Sequence, residues 1–131
     1  MIQATAPDTT KPLKIACNFL LTLFFDATDD TDSADDDYYA IVDKLDKFKK
    51  YWSAFDLTTT EEVEVIHYVQ DLISKYFEGL TPYFPRLLRE MYISKVVKKK
   101  SIFLWKEGME KQGKGADMKY LWMSRPMLKK L

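Results

Sequence analysis

Apolar residues recur along this chain three and four positions apart, the spacing of one helix face. From Pro12 onward Leu13, Cys17, Leu20, Leu21 and Phe24 keep that spacing and predict a helix over Pro12–Phe25. Tyr38, Ile41, Val42, Leu45, Phe48, Tyr51 and Trp52 predict a second over Asp37–Phe55, with Asp43/Lys47 and Asp46/Lys50 as favourable i,i+4 pairs on its polar side. Thr58, Thr59 and Thr60 followed by Glu61 and Glu62 mark a helix start. Thr59 and Glu62 have capping-box spacing, and the predicted helix runs from Thr60 to Phe77 and stops near Gly79. A fourth runs from Thr81 or Pro82 to Ile93, since proline near the first turn forfeits no intrahelical hydrogen bond. A fifth covers Val96–Lys111, with Gly113 and Gly115 behind it. A sixth covers Ala116–Leu131, where Pro126 should kink or split it.

Six helices in consecutive pairs with short links predict an all-α fold of stacked antiparallel hairpins, HEAT-like, over residues 12–131 as a single domain. A plain helical bundle satisfies the same periodicity. Met1–Lys11 is Thr-rich and aperiodic and reads as a flexible N-terminal segment. With 131 residues, 47% hydrophobic and 15% aromatic, the chain has the means to bury a core, and 4 Gly and 5 Pro are too few for a turn-rich β fold.

Charge changes this picture. The net charge is zero, yet residues 1–85 hold 16 Asp and Glu against 7 Lys and Arg, while residues 86–131 hold 4 against 13. Such a split either pairs within the fold or steers charged partners. Asp26–Asp37 carries seven aspartates in twelve residues and reads as an exposed, self-repelling loop. It lacks the glycine and final glutamate of a calcium loop. A possible acidic surface is therefore Asp29, Asp30, Asp32, Asp35, Asp36 and Asp37.

Catalytic chemistry has no foothold in the pattern. There is no phosphate loop, HExxH, CxxC or nucleophile elbow. His67 is the only histidine and Cys17 the only cysteine, so zinc ligation and a catalytic triad lack partners. Cys17 sits in an apolar run and reads as a small buried hydrophobe, compatible with a reducing, cytoplasmic setting. That run, Ile15–Phe25, is 11 residues long, too short for a membrane span. The reading is a non-enzymatic protein without cofactor or metal. Lysines interleaved with Trp105, Tyr120 and Trp122 in the basic C-terminal third leave a helical nucleic-acid-binding module as one alternative, although those aromatics fall at core spacing, and a lineage-specific helical interaction protein as another.

The segment Phe84–Trp105, with Pro85, Leu87, Leu88, Met91, Tyr92, Ile102 and Trp105, resembles the W2-type HEAT domain (MIF4G-related). That domain is shared by eukaryotic translation initiation factor 5, the epsilon subunit of initiation factor 2B and the factor-5-mimic proteins. The acidic LFFDATDD before KLDKFKKYWSAF, and Pro126-Met127-Leu128-Lys129 near the end, are similar to other parts of that family. The resemblance implies a non-enzymatic adaptor that assembles preinitiation partners: initiation factor 2 beta, initiation factor 3 and initiation factor 1, with RNA a further possibility. The family grips lysine-rich partner segments with acidic–aromatic boxes. Here Lys98, Lys99 and Lys100 stand where the first box has glutamates, and Lys130 where the second needs Trp. Lysines cannot attract lysines. The expected partner surface is thus inverted: Lys98, Lys99, Lys100 and Lys106 around Trp105, meeting acidic protein or RNA.

Overall fold

The computed structural model describes residues 12–29, 31–112, 115 and 118–131. The N-terminal segment predicted over Met1–Lys11 lies outside the described residues, as does Asp30. The fold is all-α, with no strand among the described residues. Its helices are α1 (Pro12–Ala27), α2 (Ala34–Lys47), the single turn α3 (Lys49–Trp52), α4 (Thr59–Tyr76), α5 (Phe84–Ile93), α6 (Lys99–Gln112) and α7 (Met118–Leu128). Short 3₁₀ segments at Ser53–Phe55 and Glu78–Tyr83 join α3 to α4 and α4 to α5.

Where these elements begin and end differs from the periodicity in ways that have local causes. The second predicted helix starts earlier, at Ala34, because Ser33 takes the Asp36 amide on its hydroxyl and Asp35, Asp36 and Asp37 then lie in the first turn. Carboxylates there face the positive end of the helix dipole. The same helix breaks at Phe48 rather than reaching Phe55. The break lets Phe48, Trp52 and Phe55 all set their rings edge-on around Phe19, at 5.4, 5.1 and 6.5 Å between centroids. It also lets the Trp52 indole N–H donate to the Leu45 carbonyl at 3.2 Å.

The capping box of α4 is Thr58 with Glu61, one residue ahead of the predicted Thr59–Glu62 pair. That frees Glu62 to turn inward. Helix α5 starts at Phe84 and not at Thr81, because Pro85 would clash with a helical carbonyl four residues back. Pro126 does not split α7.

With α2 and α3 counted as one broken helix, each helix packs on the one two positions further along. α1 packs on α4 and α4 on α6; α2 packs on α5 and α5 on α7. α1 also meets α2, and α6 meets α7. The core runs between the two rows, with Leu20, Ile41, Ile66, Ile73, Phe84, Leu88, Trp105 and Tyr120 at or near zero exposure. Phe84 packs tilted at 5.7 Å from Trp105 and edge-on at 4.9 Å from Tyr120, so one phenyl ring links α5, α6 and α7. The Tyr120 hydroxyl reaches the Ser74 hydroxyl at 2.7 Å and ties α7 to α4. Cys17 is half-buried on α1. Burial is the main reason its thiol is pushed above the usual value, with Glu64 adding to it and Lys14 opposing.

Candidate functional site: a lysine-rimmed cleft at the α5–α6 corner

Helix α5 ends in a closed turn. Val96 donates its amide to the Met91 carbonyl at 2.8 Å and Lys95 donates to Tyr92 at 3.1 Å, the paired bonds of a Schellman motif. Lys95 therefore occupies the left-handed position, at φ 65°, where glycine is the usual residue. Helix α6 begins at Lys99, and Val96 and Val97 are buried in the link instead of being helical.

Glu62 organises the start of α6. Its side chain is buried, and one carboxylate oxygen accepts from the Lys98 amide at 2.7 Å and from the Ser101 hydroxyl at 2.6 Å. The other takes the Lys98 ammonium at 2.7 Å, and that ammonium also donates to the Leu57 carbonyl at 3.1 Å. One acid from α4 thus fixes the backbone leading into α6 at Lys98, 36 residues later. A buried carboxylate is tolerable only with this degree of pairing.

Around this junction lies an open cleft of about 570 Å³. Trp52, Leu57, Val96 and Val97 supply its apolar wall, and Tyr92 and Ile93 offer exposed apolar surface. Lys95, Lys98 and Lys99 supply cations; Asp56 and Glu62 are the acids. Glu62 is already matched by Lys98, which leaves Lys95 and Lys99 facing Asp56. Asp56 sits at φ 47°, so both non-glycine residues with positive φ among the described residues border this one cleft. Backbone strain gathered at a concave, apolar surface is a mark of a binding site.

The structure divides the predicted partner patch. Trp105 is not on the surface: it has zero exposure, and its indole N–H donates to Gln70 at 2.9 Å. Lys98 keeps an exposed stem, but its charge is spent on Glu62 and Leu57. Lys99 is exposed in the cleft and Lys100 is exposed beside it. Lys106 belongs elsewhere; it pairs with Glu110 at 3.2 Å in a groove between α6 and α7.

Among the predicted acids, Asp29, Asp32, Asp35 and Asp36 are exposed. Asp37 is half-buried and accepts the Thr31 hydroxyl. Asp35, Asp36 and Asp37 are helical, a correction to the loop reading. Sequence reasoning missed Lys95, Asp56, Tyr92 and Ile93. The one signal for Lys95 was the missing glycine after α5, where the chain must still turn left-handed.

Among the described residues no group of three or more His, Cys, Asp or Glu is placed to hold a metal ion, and no helix is long and apolar enough to cross a membrane. No protein-family model, curated protein or solved structure matches this chain.

Proposed function

We propose that this chain is a non-enzymatic helical adaptor that holds an acidic, aliphatic segment of a partner protein in the α5–α6 corner cleft. The observation that carries it is the juxtaposition of an apolar wall with Lys95 and Lys99, Lys95 being kept in a conformation that disfavours any side chain. The wall supplies burial, and the lysines select acidic over basic segments. The alternation of contacts, each helix on the one two positions along, supports a HEAT-like stack over a plain bundle. With the Phe84–Trp105 pattern it favours a cytoplasmic W2-type domain of a divergent translation initiation factor 5. Its partners would be preinitiation components, initiation factor 2 beta, initiation factor 3 or initiation factor 1, met through acidic and not lysine-rich segments.

The test is a salt-series pull-down with those subunits, alongside anisotropy titrations with an acidic–aliphatic peptide and its lysine-substituted counterpart. The adaptor reading expects the acidic peptide to bind and to weaken by about tenfold between about 50 and 300 mM salt. Lys95→Glu with Lys99→Glu should abolish it. Equal binding of both peptides, or none at low salt, ends the cleft reading. Peptide binding with no initiation-factor subunit retained would keep the cleft and remove the translation assignment.

One observation favours nucleic acid as a second reading. Trp122 is 59% exposed and shares a face of α7 with Arg125, with Lys129 just beyond the helix end, a single stacking platform beside cations. Burial of Trp105 and Tyr120 removes the other two aromatics from that role. A gel shift with single-stranded RNA that Trp122→Ala abolishes would establish it.

A further inference from the structure

The two hairpins at opposite ends of the contact order each carry a groove on residues of that hairpin alone. At one end Ile15, Phe19, Leu23, Asp26, Lys44 and Phe48, from α1 and α2, line a cavity of about 420 Å³. At the other Phe103, Lys106, Glu110, Arg125, Leu128 and Lys129, from α6 and α7 and the residue after it, line one of about 350 Å³.

Both have apolar floors, but their charge is opposite in origin. In the α6–α7 groove Lys106 and Glu110 pair with each other, leaving Arg125 and Lys129 as cations without a partner in that lining. In the α1–α2 groove Asp26 and Lys44 pair, and the exposed Asp29, Asp32, Asp35 and Asp36 follow at the same hairpin. Large apolar side chains remain open at each end: Ile15 at 42% on α1, and Leu104 at 37% and Trp122 at 59% on α6 and α7.

We infer that copies of this chain associate head to tail, the α6–α7 face of one receiving the acidic α1–α2 hairpin of the next. A second copy is the occupant that fits, because the charge each end lacks is the charge the other end carries. A symmetric pairing of like ends would set Arg125 and Lys129 against themselves, or aspartates against aspartates. The contact is therefore heterologous. A heterologous contact whose rotation does not close a ring propagates with concentration. These surfaces are separate from the α5–α6 corner, and the inference does not rest on the adaptor reading.

Sedimentation velocity over a wide concentration range tests it. At about 50 mM salt the weight-average mass should climb past twice the 15.4 kDa monomer, and at about 500 mM it should return to monomer. Arg125→Glu with Lys129→Glu blocks one end; Asp29→Lys with Asp32→Lys and Asp36→Lys blocks the other. Each variant alone should remain monomeric. Mixed, they should assemble again as the wild type does, since the two unaltered ends complement each other and the two charge-reversed ends do so with signs exchanged.

All these substitutions are at exposed positions, and far-ultraviolet circular dichroism verifies that the variants fold. The wild-type salt series stands independently of them. A wild-type chain monomeric at every concentration overturns the inference. So does a discrete dimer that gains no further copies, or assembly unchanged by blocking either end. An acidic peptide that occupies the α6–α7 groove while the chain stays monomeric also overturns it, and would assign that groove to another protein.

Discussion

The lysine corner Lys95–Lys100 and the aspartate cluster Asp26–Asp37 are both dense in one charge, and the fold treats them differently. At the lysine corner a single buried opposite charge, Glu62, takes the central member, Lys98, and fixes the backbone beside it. Lys95, Lys99 and Lys100 are left exposed around that anchor. Among the described residues of the aspartate cluster no buried base plays this part. Asp35, Asp36 and Asp37 lean on the N-terminus of α2, and Asp26 pairs with Lys44 at 2.5 Å on the surface. A buried counter-charge holds a like-charge run in one place. A helix dipole and a solvated ion pair only make it bearable. The lysine corner is thus the part built to present charge in fixed geometry.

Substitutions should expose that difference, most strongly inside the corner. Trp105→Ala removes a fully buried indole and strands the Gln70 oxygen, and should cost about 4 kcal/mol in urea denaturation. A loss under about 1 kcal/mol would mean that the corner is not anchored from beneath. Glu62→Ala leaves the Lys98 amide and Ser101 hydroxyl without their acceptor and should cost about 3 kcal/mol by the same measurement. Glu62→Gln should cost less, because it still accepts one of these bonds.

Lys95→Gly relieves the left-handed backbone and should raise stability by about 1 kcal/mol while weakening binding of an acidic peptide. If affinity is unchanged, the strain at Lys95 serves nothing in the cleft. In the aspartate cluster the effects should shrink. Ser33→Ala removes the cap of α2 and should cost about 0.5 kcal/mol, read as a lowered melting temperature.

Asp26→Asn should be the smallest, and it should depend on pH. The hydrogen bond from Lys44, and next the pull of that ammonium's charge, hold the Asp26 carboxyl below an isolated aspartate's 3.8. A depressed carboxyl stabilises the fold above its unfolded pKa, and that support vanishes as pH falls through the folded value. Melting temperatures of wild type and variant should differ slightly near neutrality and converge in acid. A gap that persists at about pH 2 would assign the effect to something other than the ion pair.

The helices were legible because Leu20, Ile41, Leu45, Val65, Ile66 and Val69 repeat at a spacing that only a helix can bury on one side. Helix starts were less so. Thr58–Glu61 and Thr59–Glu62 satisfy the same local rule, and the choice falls to the first because Glu62 is needed under α6. That need arises between residues far apart in the chain, where periodicity is silent. The break at Phe48 has the same character: no Gly or Pro marks it, only the demand of three aromatic rings for one Phe19.

The corner's position was visible in Pro85 through Trp105, but its surface was not. Trp105, expected at the partner surface, is internal, and Lys98 is exposed but spends its charge on Glu62; Lys95 gives no sign in the sequence because a left-handed residue announces itself there only when it is glycine.

The alternation of helix contacts also sets how the chain is acquired and lost. When each helix rests on the one two positions along, the loops that must close during folding are of comparable length, 36 residues for Glu62–Lys98 and 46 for Ser74–Tyr120, so no single closure dominates folding. Under a pulling force the same arrangement offers no single clasp. Extension should proceed in steps from an end, and the step that breaks the Glu62 connection between α4 and α6 should be the most resistant of them.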